Sequence, residues 1–253
     1  MNRSPLQPSL PDNATVKIIG LGGVGSIVAR YLAAFLASLD RVVRLVLLDG
    51  DEFEHNNRTR MIFGSCGNKA AVTHDELAPR FAESSLSIIA IEEFVSPENI
   101  SRLIRPGDII LLTVDNHATR KLVSDHCATL TDVCLISGGN DGVEKDATGK
   151  LRRGTYGNVQ VYLRRADADA SPSLTRYHPE IAQPSDKLPT DKSCTELITS
   201  VPQILFTNLT VATCMLNTLL LHLSDALHYS ELAFDIADGL MRPAPLPAPK
   251  QSK

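Results

Sequence analysis

Four short clusters of glycines, carboxylates, amides and cations, all in the first half of the chain, carry the residue types that bind and activate a nucleotide. The first is Gly20-Leu21-Gly22-Gly23-Val24-Gly25. Glycines at this spacing let the backbone approach a phosphate, and the amides of a following helix point at it. The second, Asp49-Gly50-Asp51, offers a carboxylate able to hold ribose hydroxyls. The third runs from Asn57-Arg58-Thr59-Arg60 to Gly67-Asn68-Lys69-Ala70, and sets an amide, two arginines and a lysine soon after that carboxylate. The fourth is Asp115-Asn116.

Together these clusters separate one chemistry from its rivals. A glycine turn alone says only nucleotide, and the plainer alternative is a turn that packs a helix on a strand, with Asp49 as a solvated strand end. A redox unit that binds NAD uses the glycines and the ribose carboxylate, but has no need of Asn57, Arg60 and Lys69. A triphosphate does, because the crowded α-phosphate of a nucleotidyl-transfer transition state needs cations beside it. The chain contains no GxxxxGK[ST] segment, so it is not a P-loop enzyme.

The elements that must position these residues alternate along the chain. Val16–Ile19 reads as a strand entering the glycine turn, and Ile27, Val28, Tyr31, Leu32, Phe35 and Leu36 recur at helical spacing after it. Val42–Leu48 is a second β-branched strand, ending at Asp49. A helix is predicted over 70–81, strands over Leu86–Ile91 and Asp108–Val114, a helix with Leu122, Val123, Cys127 and Leu130 inward, and a strand over Val133–Ser137. Val159–Arg164 alternates like an antiparallel arm. A helix is predicted from about Pro202 to His222, and a last strand near Leu232–Ile236. The fold class is α/β: a Rossmann-like, doubly wound, mainly parallel sheet with helices on both faces and a late antiparallel extension. Residues 1–13 are expected to be a flexible N-terminus, 14–240 a single domain with a long crossover loop over 166–200, and 241–253 a disordered Pro-rich tail.

Composition bounds the rest. A chain of 253 residues is long enough for one α/β domain, and 43% apolar with 21% charged residues is ordinary for a soluble protein. A net charge of −4 argues against a nucleic-acid binder. The five cysteines include no CxxC pair, so neither a disulfide framework nor a four-thiolate zinc site is expected; free thiols suit a reducing, cytoplasmic setting. The N-terminus has no apolar signal segment. The apolar stretch Ile204–Leu223 carries Asn208, Asn217 and His222, and reads as a buried helix, not a membrane span. The histidines show no metal-binding spacing.

In order, spacing and predicted context the four clusters resemble the ThiF/MoeB/HesA superfamily, which includes the adenylation domains of ubiquitin-activating enzymes; the likeness covers roughly 16–137. That pattern runs GxGGxG, then DxDxVxxSNxxRQ, then a GxxKA-like segment, then a strand ending in DN. This chain departs at Asn56, where the family has Ser, and at Met61, where it has Gln. It also lacks the paired CxxC motifs that hold structural zinc in many relatives. The resemblance implies ATP and Mg²⁺ as cofactors, with no zinc. Gly22, Gly23, Gly25, Asp49, Asp51, Asn57 and Asn116 would bind the nucleotide, with Asn57, Arg60 and Lys69 on the phosphates. Arg60, Lys69 and Asp115 would act in catalysis, and Asp115 would carry the metal. Arg120, five positions after Asp115, reads as a surface residue of a helix.

The resemblance further implies adenylation of the C-terminal glycine carboxylate of a ubiquitin-like or sulfur-carrier protein, a homodimer paired through the late helices, and a conjugating enzyme as a further partner. No nucleic acid or membrane is expected as a partner. Some family members move the acyl group to a cysteine, and here that position falls at Lys192-Ser193-Cys194-Thr195. Lys192 would favour the thiolate of Cys194, while the plainer alternative is a loop thiol without a role. Cys127, Cys134 and Cys214 sit on apolar faces and read as core. Two readings compete with a Cys194 thioester: adenylation for sulfur transfer or tRNA modification without one, and a non-catalytic partner in a heterodimer. The joint presence of Asn57, Arg60, Lys69 and Asp115 weighs against the last.

Overall fold

Neighbouring residues along each central strand belong to two different cores. Ile18, Leu47, Leu111, Ile136 and Val161 pack into one cluster, while Ile19, Leu48, Leu112, Leu135 and Tyr162 pack into the other. Side chains alternate across a strand, so the sheet is buried on both faces, and runs such as Leu45–Leu48 are apolar throughout because neither face meets water there. The computed structural model of the chain describes residues 5–55, 57, 61–143, 149, 151–191 and 203–246.

The strands are β1 (Ala14–Ile19), β2 (Val43–Leu48), the short β3 (Glu52–Phe53) and β4 (Gly67–Asn68), β5 (Leu86–Ile91), β6 (Ile109–Leu112), β7 (Val133–Asn140), β8 (Tyr156–Arg165), β9 (Ala168–Asp169), β10 (Tyr229–Asp235) and β11 (Leu240–Pro245). The helices are α1 (Gly25–Ala37), α2 (Lys69–Leu77), α3 (Ile100–Leu103), α4 (His117–Cys127), α5 (Pro179–Ala182) and α6 (Leu205–Leu223). The main sheet has the order β11-β10-β8-β7-β6-β1-β2-β5. Strands β5, β2, β1, β6 and β7 run parallel, and β8, β10 and β11 continue the sheet antiparallel. This is the Rossmann-like sheet with a late antiparallel extension that the alternation predicts.

Register fixes where a ligand can sit. In β1, Ile19 pairs with Leu48 of β2 on one side and with Leu112 of β6 on the other. The glycine turn, Asp49 and Thr113 therefore leave the sheet at one height, at the point where successive crossovers depart in opposite directions from β1. Open α/β sheets bind ligands at such a switch point.

Helices α1 and α6 cover one face, and α3 and α4 the other. α6 is long and apolar enough to span a bilayer by length and composition. Its residues Asn208, Val211, Ala212, Met215, Thr218 and Leu219 are nonetheless buried at helical spacing, on β7, β8 and α1.

Two expectations are corrected. The tail expected to be disordered over 241–253 forms β11 through Pro245, paired to β10. Proline suits this edge strand: Leu246 N–H donates inward to His228 O at 3.0 Å, so by alternation residues 243 and 245 face outward, where a missing N–H breaks no bond. The flexible N-terminus expected over 1–13 is anchored in its described part, since Leu10 is buried in the α1/α6 core and Ser9 N–H donates to Leu223 O at 2.9 Å. The crossover loop expected over 166–200 carries only β9, α5 and a short turn in its described part, and Leu174 and Ile181 pack it onto the α4 core.

Candidate functional site

Close packing shapes the glycine turn. Gly20 has φ +91°, a conformation that side chains rarely adopt, and a Cβ there would lie 3.0 Å from Val114 N. A Cβ on Gly25 would lie 1.9 Å from Gly20 O and 2.6 Å from Thr113 Oγ1, so the first turn of α1 sits directly on the end of β1. Thr113 Oγ1 donates to Ile19 O at 3.1 Å and to Gly20 O, tying β6 to the turn. Gly22 is different: nothing lies within 4 Å of its Cβ position. That space is what a phosphate approaching the backbone requires.

Asp49, at the end of β2, is buried and braces the turn. Its Oδ2 accepts the N–H of Leu21 at 2.5 Å and its Oδ1 accepts that of Asp51 at 2.9 Å. Burial pushes its carboxyl up from the ordinary aspartate range, against the pull of Lys69 and these N–H groups. Asn68 Nδ2 donates to Asp49 O at 3.0 Å, and Asn68 Oδ1 caps α2 through the N–H groups of Ala70 and Ala71. Lys69, the first residue of α2, is thereby held with its ammonium on the Asp51 carboxylate. Lys69 is 7% exposed, an unusual burial for a lysine and one sustained by its ion pair.

Asn57 is described: its Oδ1 accepts the Glu54 N–H at 2.9 Å. Arg60, with Asn56, Arg58 and Thr59, lies outside the described residues. The segment that follows is moored to the helices. Glu76 accepts from Gly64 N–H at 2.5 Å and from Arg30 at 2.6 Å, and Arg30 also donates to Ile62 O at 2.6 Å.

Asp115 follows β6 with its side chain exposed, and Asn116 caps α4 by accepting the Thr119 N–H at 2.7 Å. Arg120 corrects the expectation of a surface residue. It is 7% exposed and donates to Ser137 Oγ at 2.5 Å, to Val114 O at 2.7 Å and to Gly138 O at 2.8 Å. Burial lowers its pKa to about 10, opposed by Asp115, Asp186 and Glu180, so it remains a cation at neutral pH. The signal was available: Arg120, Val123 and Cys127 recur at i, i+3 and i+7 on the inner face of α4. Asp186, from the long loop, is a residue that sequence reasoning missed. Its carboxylate accepts the N–H groups of His117 and Ala118 at 2.7 and 2.8 Å, at the positive end of α4. Nothing in the local sequence announces that long-range contact.

The structure thus brings Gly22, Gly23, Gly25, Asp49, Asp51 and Lys69 into one contact network, and places Asp115 and Asn116 at the end of β6 beside it. Cys194 and Lys192 lie outside the described residues. The buried thiols are poor nucleophiles: desolvation pushes Cys127 and Cys134 up to about 12 and Cys214 to about 11, while Cys66 is exposed.

Comparison with known proteins places this geometry among relatives. A family profile described as the ThiF family matches residues 9–252. The chain is 33% identical over 141 residues to the adenylyltransferase and sulfurtransferase MOCS3-1 of Zea mays, covering 53% of this chain and 28% of that protein. It is 34% identical over 157 residues to MOCS3 of Drosophila sechellia, covering 59% and 31%. The chain therefore spans less than a third of either relative. Its fold is that of E. coli MccB, solved with ATP, at a TM-score of 0.65 and 16% identity over 93% of this chain and 64% of that one. The enzyme MccB of microcin C7 biosynthesis, in complex with N-formylated MccA, superposes at a TM-score of 0.66 and 17% identity over 94% and 66%.

Proposed function

The chain belongs to the ThiF family, and from that premise we propose that it is an ATP-dependent adenylyltransferase for the C-terminal glycine carboxylate of a ubiquitin-like or sulfur-carrier protein. In the proposed reaction a carboxylate oxygen of the carrier attacks the α-phosphorus of ATP. The bond from that phosphorus to the bridging oxygen breaks, pyrophosphate leaves, and an acyl-adenylate remains.

The observation that carries this reading is the convergence at the switch point. Open backbone at Gly22, a buried carboxylate at Asp49 and a buried, ion-paired cation at Lys69 meet where β1, β2 and β6 end. Asp49 fixes the turn and would take the ribose. Lys69 would leave Asp51 for the phosphates and neutralise charge gathering there. Arg60 and Asn57 join that set by the resemblance of their motif. The residues present fit Mg²⁺ in the manner of nucleotide enzymes. Among the described residues no cluster of three or more His, Cys, Asp and Glu could hold a metal alone, but the exposed Asp115 carboxylate together with substrate phosphates makes an ordinary Mg²⁺ donor set. Bound there, the metal would offset phosphate charge. The MOCS3 relatives, named as adenylyltransferases, support the same assignment.

The proposal extends to three finer points. Cys194, at the acceptor position that the resemblance implies, would take a subsequent thioester; burial sets aside Cys127, Cys134 and Cys214 but not the exposed Cys66. The protein is a cytoplasmic homodimer, with Phe206, Leu209, Ile236 and Met241 lining an exposed apolar groove of about 340 Å³ beside α6. A conjugating enzyme would take the acyl group onward. The test is ATP–pyrophosphate exchange dependent on small carrier proteins ending in glycine. Exchange only in the presence of a carrier supports the reading; tighter binding of NAD than of Mg-ATP overturns it.

A further inference from the structure

Among the described residues one buried amide has both of its polar atoms unpaired, and it sits against the glycine turn. Asn208, in the first turns of α6, is fully buried, yet neither its Nδ2 nor its Oδ1 has a hydrogen-bond partner. Its neighbour Thr207 is equally buried and is satisfied, donating to Gly154 O at 2.8 Å. A buried amide without partners is unfavourable, whereas an apolar side chain of similar size at this position would incur no such penalty. Asn208 occupies the inner face of α6 at the same spacing as Val211, Ala212 and Met215, where that apolar residue would otherwise belong.

The direction of the amide is defined by Gly23. A Cβ at residue 23 would lie 2.3 Å from Asn208 Nδ2 and 3.4 Å from Gln203 Oε1. The α6 amide thus fills the room a side chain would need at the second glycine of the pair. At the first, Gly22, the corresponding space is open. One glycine leaves space for a ligand, and the other admits a hydrogen-bonding group beside it.

We propose that Asn208 is a further nucleotide-binding residue, whose Nδ2 donates to a phosphate oxygen of ATP lying over Gly22–Gly23. The inference rests on the adenylation reading for the presence of the nucleotide, and adds a contact from α6 that the glycine, cation and Asp115 motifs do not contain. In the free protein the amide waits unpaired; the bound phosphate completes it, and Gln203, at the mouth of the same space, moves aside. The two adjacent glycines of the turn then serve different ends, ligand approach at 22 and amide approach at 23.

The experiment measures two quantities on Asn208→Ala and Asn208→Leu: the thermal midpoint without nucleotide, and the dissociation constant for Mg-ATP by calorimetry, with adenosine as the phosphate-free control. Because the folded protein loses no hydrogen bond, the midpoint should fall in Asn208→Ala by no more than the cavity left behind, and hold or rise in Asn208→Leu. Mg-ATP affinity should fall about tenfold in both, as removal of a bond to a charged group does, while adenosine binding stays unchanged. Undiminished Mg-ATP affinity in a folded variant overturns the proposal, as does a variant that fails to fold, since the amide would then be structural. An equal loss for adenosine also overturns it. Failure of the wild-type protein to bind Mg-ATP at all would instead remove the adenylation reading on which the inference stands.

Discussion

The ammonium of Lys69, itself buried, closes on the exposed carboxylate of Asp51, and the Lys69 N–H also donates to Asp51 O at 2.9 Å. Two bonds to one residue fix the first turn of α2 and keep the cation ready beside the turn. The carboxylate can be displaced without disturbing the backbone bond, so a phosphate can replace it at little structural cost.

Loss of that cation should therefore act on chemistry more than on folding. Lys69→Ala and Arg60→Ala are each expected to slow carrier-dependent ATP–pyrophosphate exchange on the order of 10²-fold or more, as removal of a transition-state charge partner does. The thermal midpoint of Lys69→Ala should fall modestly, because exposed Asp51 is resolvated while buried Asp49 loses the charge that favours its carboxylate. Exchange at the wild-type rate in either variant would remove Lys69 and Arg60 from the reaction.

The glycines of the turn should divide into two kinds. Gly25→Ala places a Cβ 1.9 Å from Gly20 O, a backbone clash that should destabilise the fold by about 1–3 kcal/mol or more in urea denaturation. Gly22→Ala meets nothing within 4 Å, and should denature like the wild type while binding Mg-ATP at least tenfold more weakly. Undiminished Mg-ATP affinity in Gly22→Ala would show that the space at Gly22 has no ligand to serve.

A pH dependence follows from the contact between the long loop and β10. His178 meets Glu180 at 2.9 Å and Glu231 at 3.2 Å, and Asn158 donates to Glu231 at 3.0 Å. The hydrogen bond to Glu231 raises the His178 pKa above its ordinary 6.5, and the same bond lowers Glu231 below 4.5. The histidine's contribution is complete below 6.5 and is lost as pH rises through its raised value; that of Glu231 is complete above 4.5 and is lost as pH falls through its lowered value. His117, Glu180 and Tyr156 also titrate near this contact. Protease nicking within 166–191 should be slowest near pH 5.5–6, about midway between those values, and faster at pH 8.5. His178→Ala should abolish the difference. Equal nicking of the wild type at both pH values would refute the clasp.

The thiols should separate by reactivity. Cys127, Cys134 and Cys214, raised by burial, should resist a disulfide reagent in the native protein, while Cys66 reacts. Cys194→Ala should leave pyrophosphate exchange nearly intact and abolish a thiol-sensitive conjugate with the carrier. A conjugate that persists in Cys194→Ala would end its assignment as acceptor.

Assembly through α6 can be read by light scattering. The wild type should be a dimer at micromolar concentration, and Phe206→Glu, which puts a charge on a side chain 69% exposed in the single chain, should be a monomer. A monomeric wild type would refute the dimer.

What was legible in the sequence was whatever local periodicity or a contiguous motif encodes. β1, β2 and β6 announce themselves as apolar runs, and the glycine turn, Asp49, Lys69 and Asp115 as short motifs at their ends. What was not legible depends on contacts far apart in the chain. Asp186 reaches α4 across 69 positions of sequence. Asn208 is an ordinary polar residue in an apolar helix until α6 is set beside Gly23. Arg120 lay between: its spacing from Val123 and Cys127 marks the inner face, but a lone arginine carries a strong expectation of solvent. The prolines of β11 misled for a related reason, since composition alone does not distinguish a loose tail from an edge strand.

That edge strand also governs what the molecule can join. With residues 243 and 245 facing outward, two successive outward positions of β11 present carbonyls with no N–H beside them. A strand arriving from another molecule would find acceptors without the alternating donors that a ladder requires. The sheet is therefore self-terminating on this margin. Over residues 243–245 this margin disfavours strand addition, whether by a carrier's extended tail or by another copy of the chain.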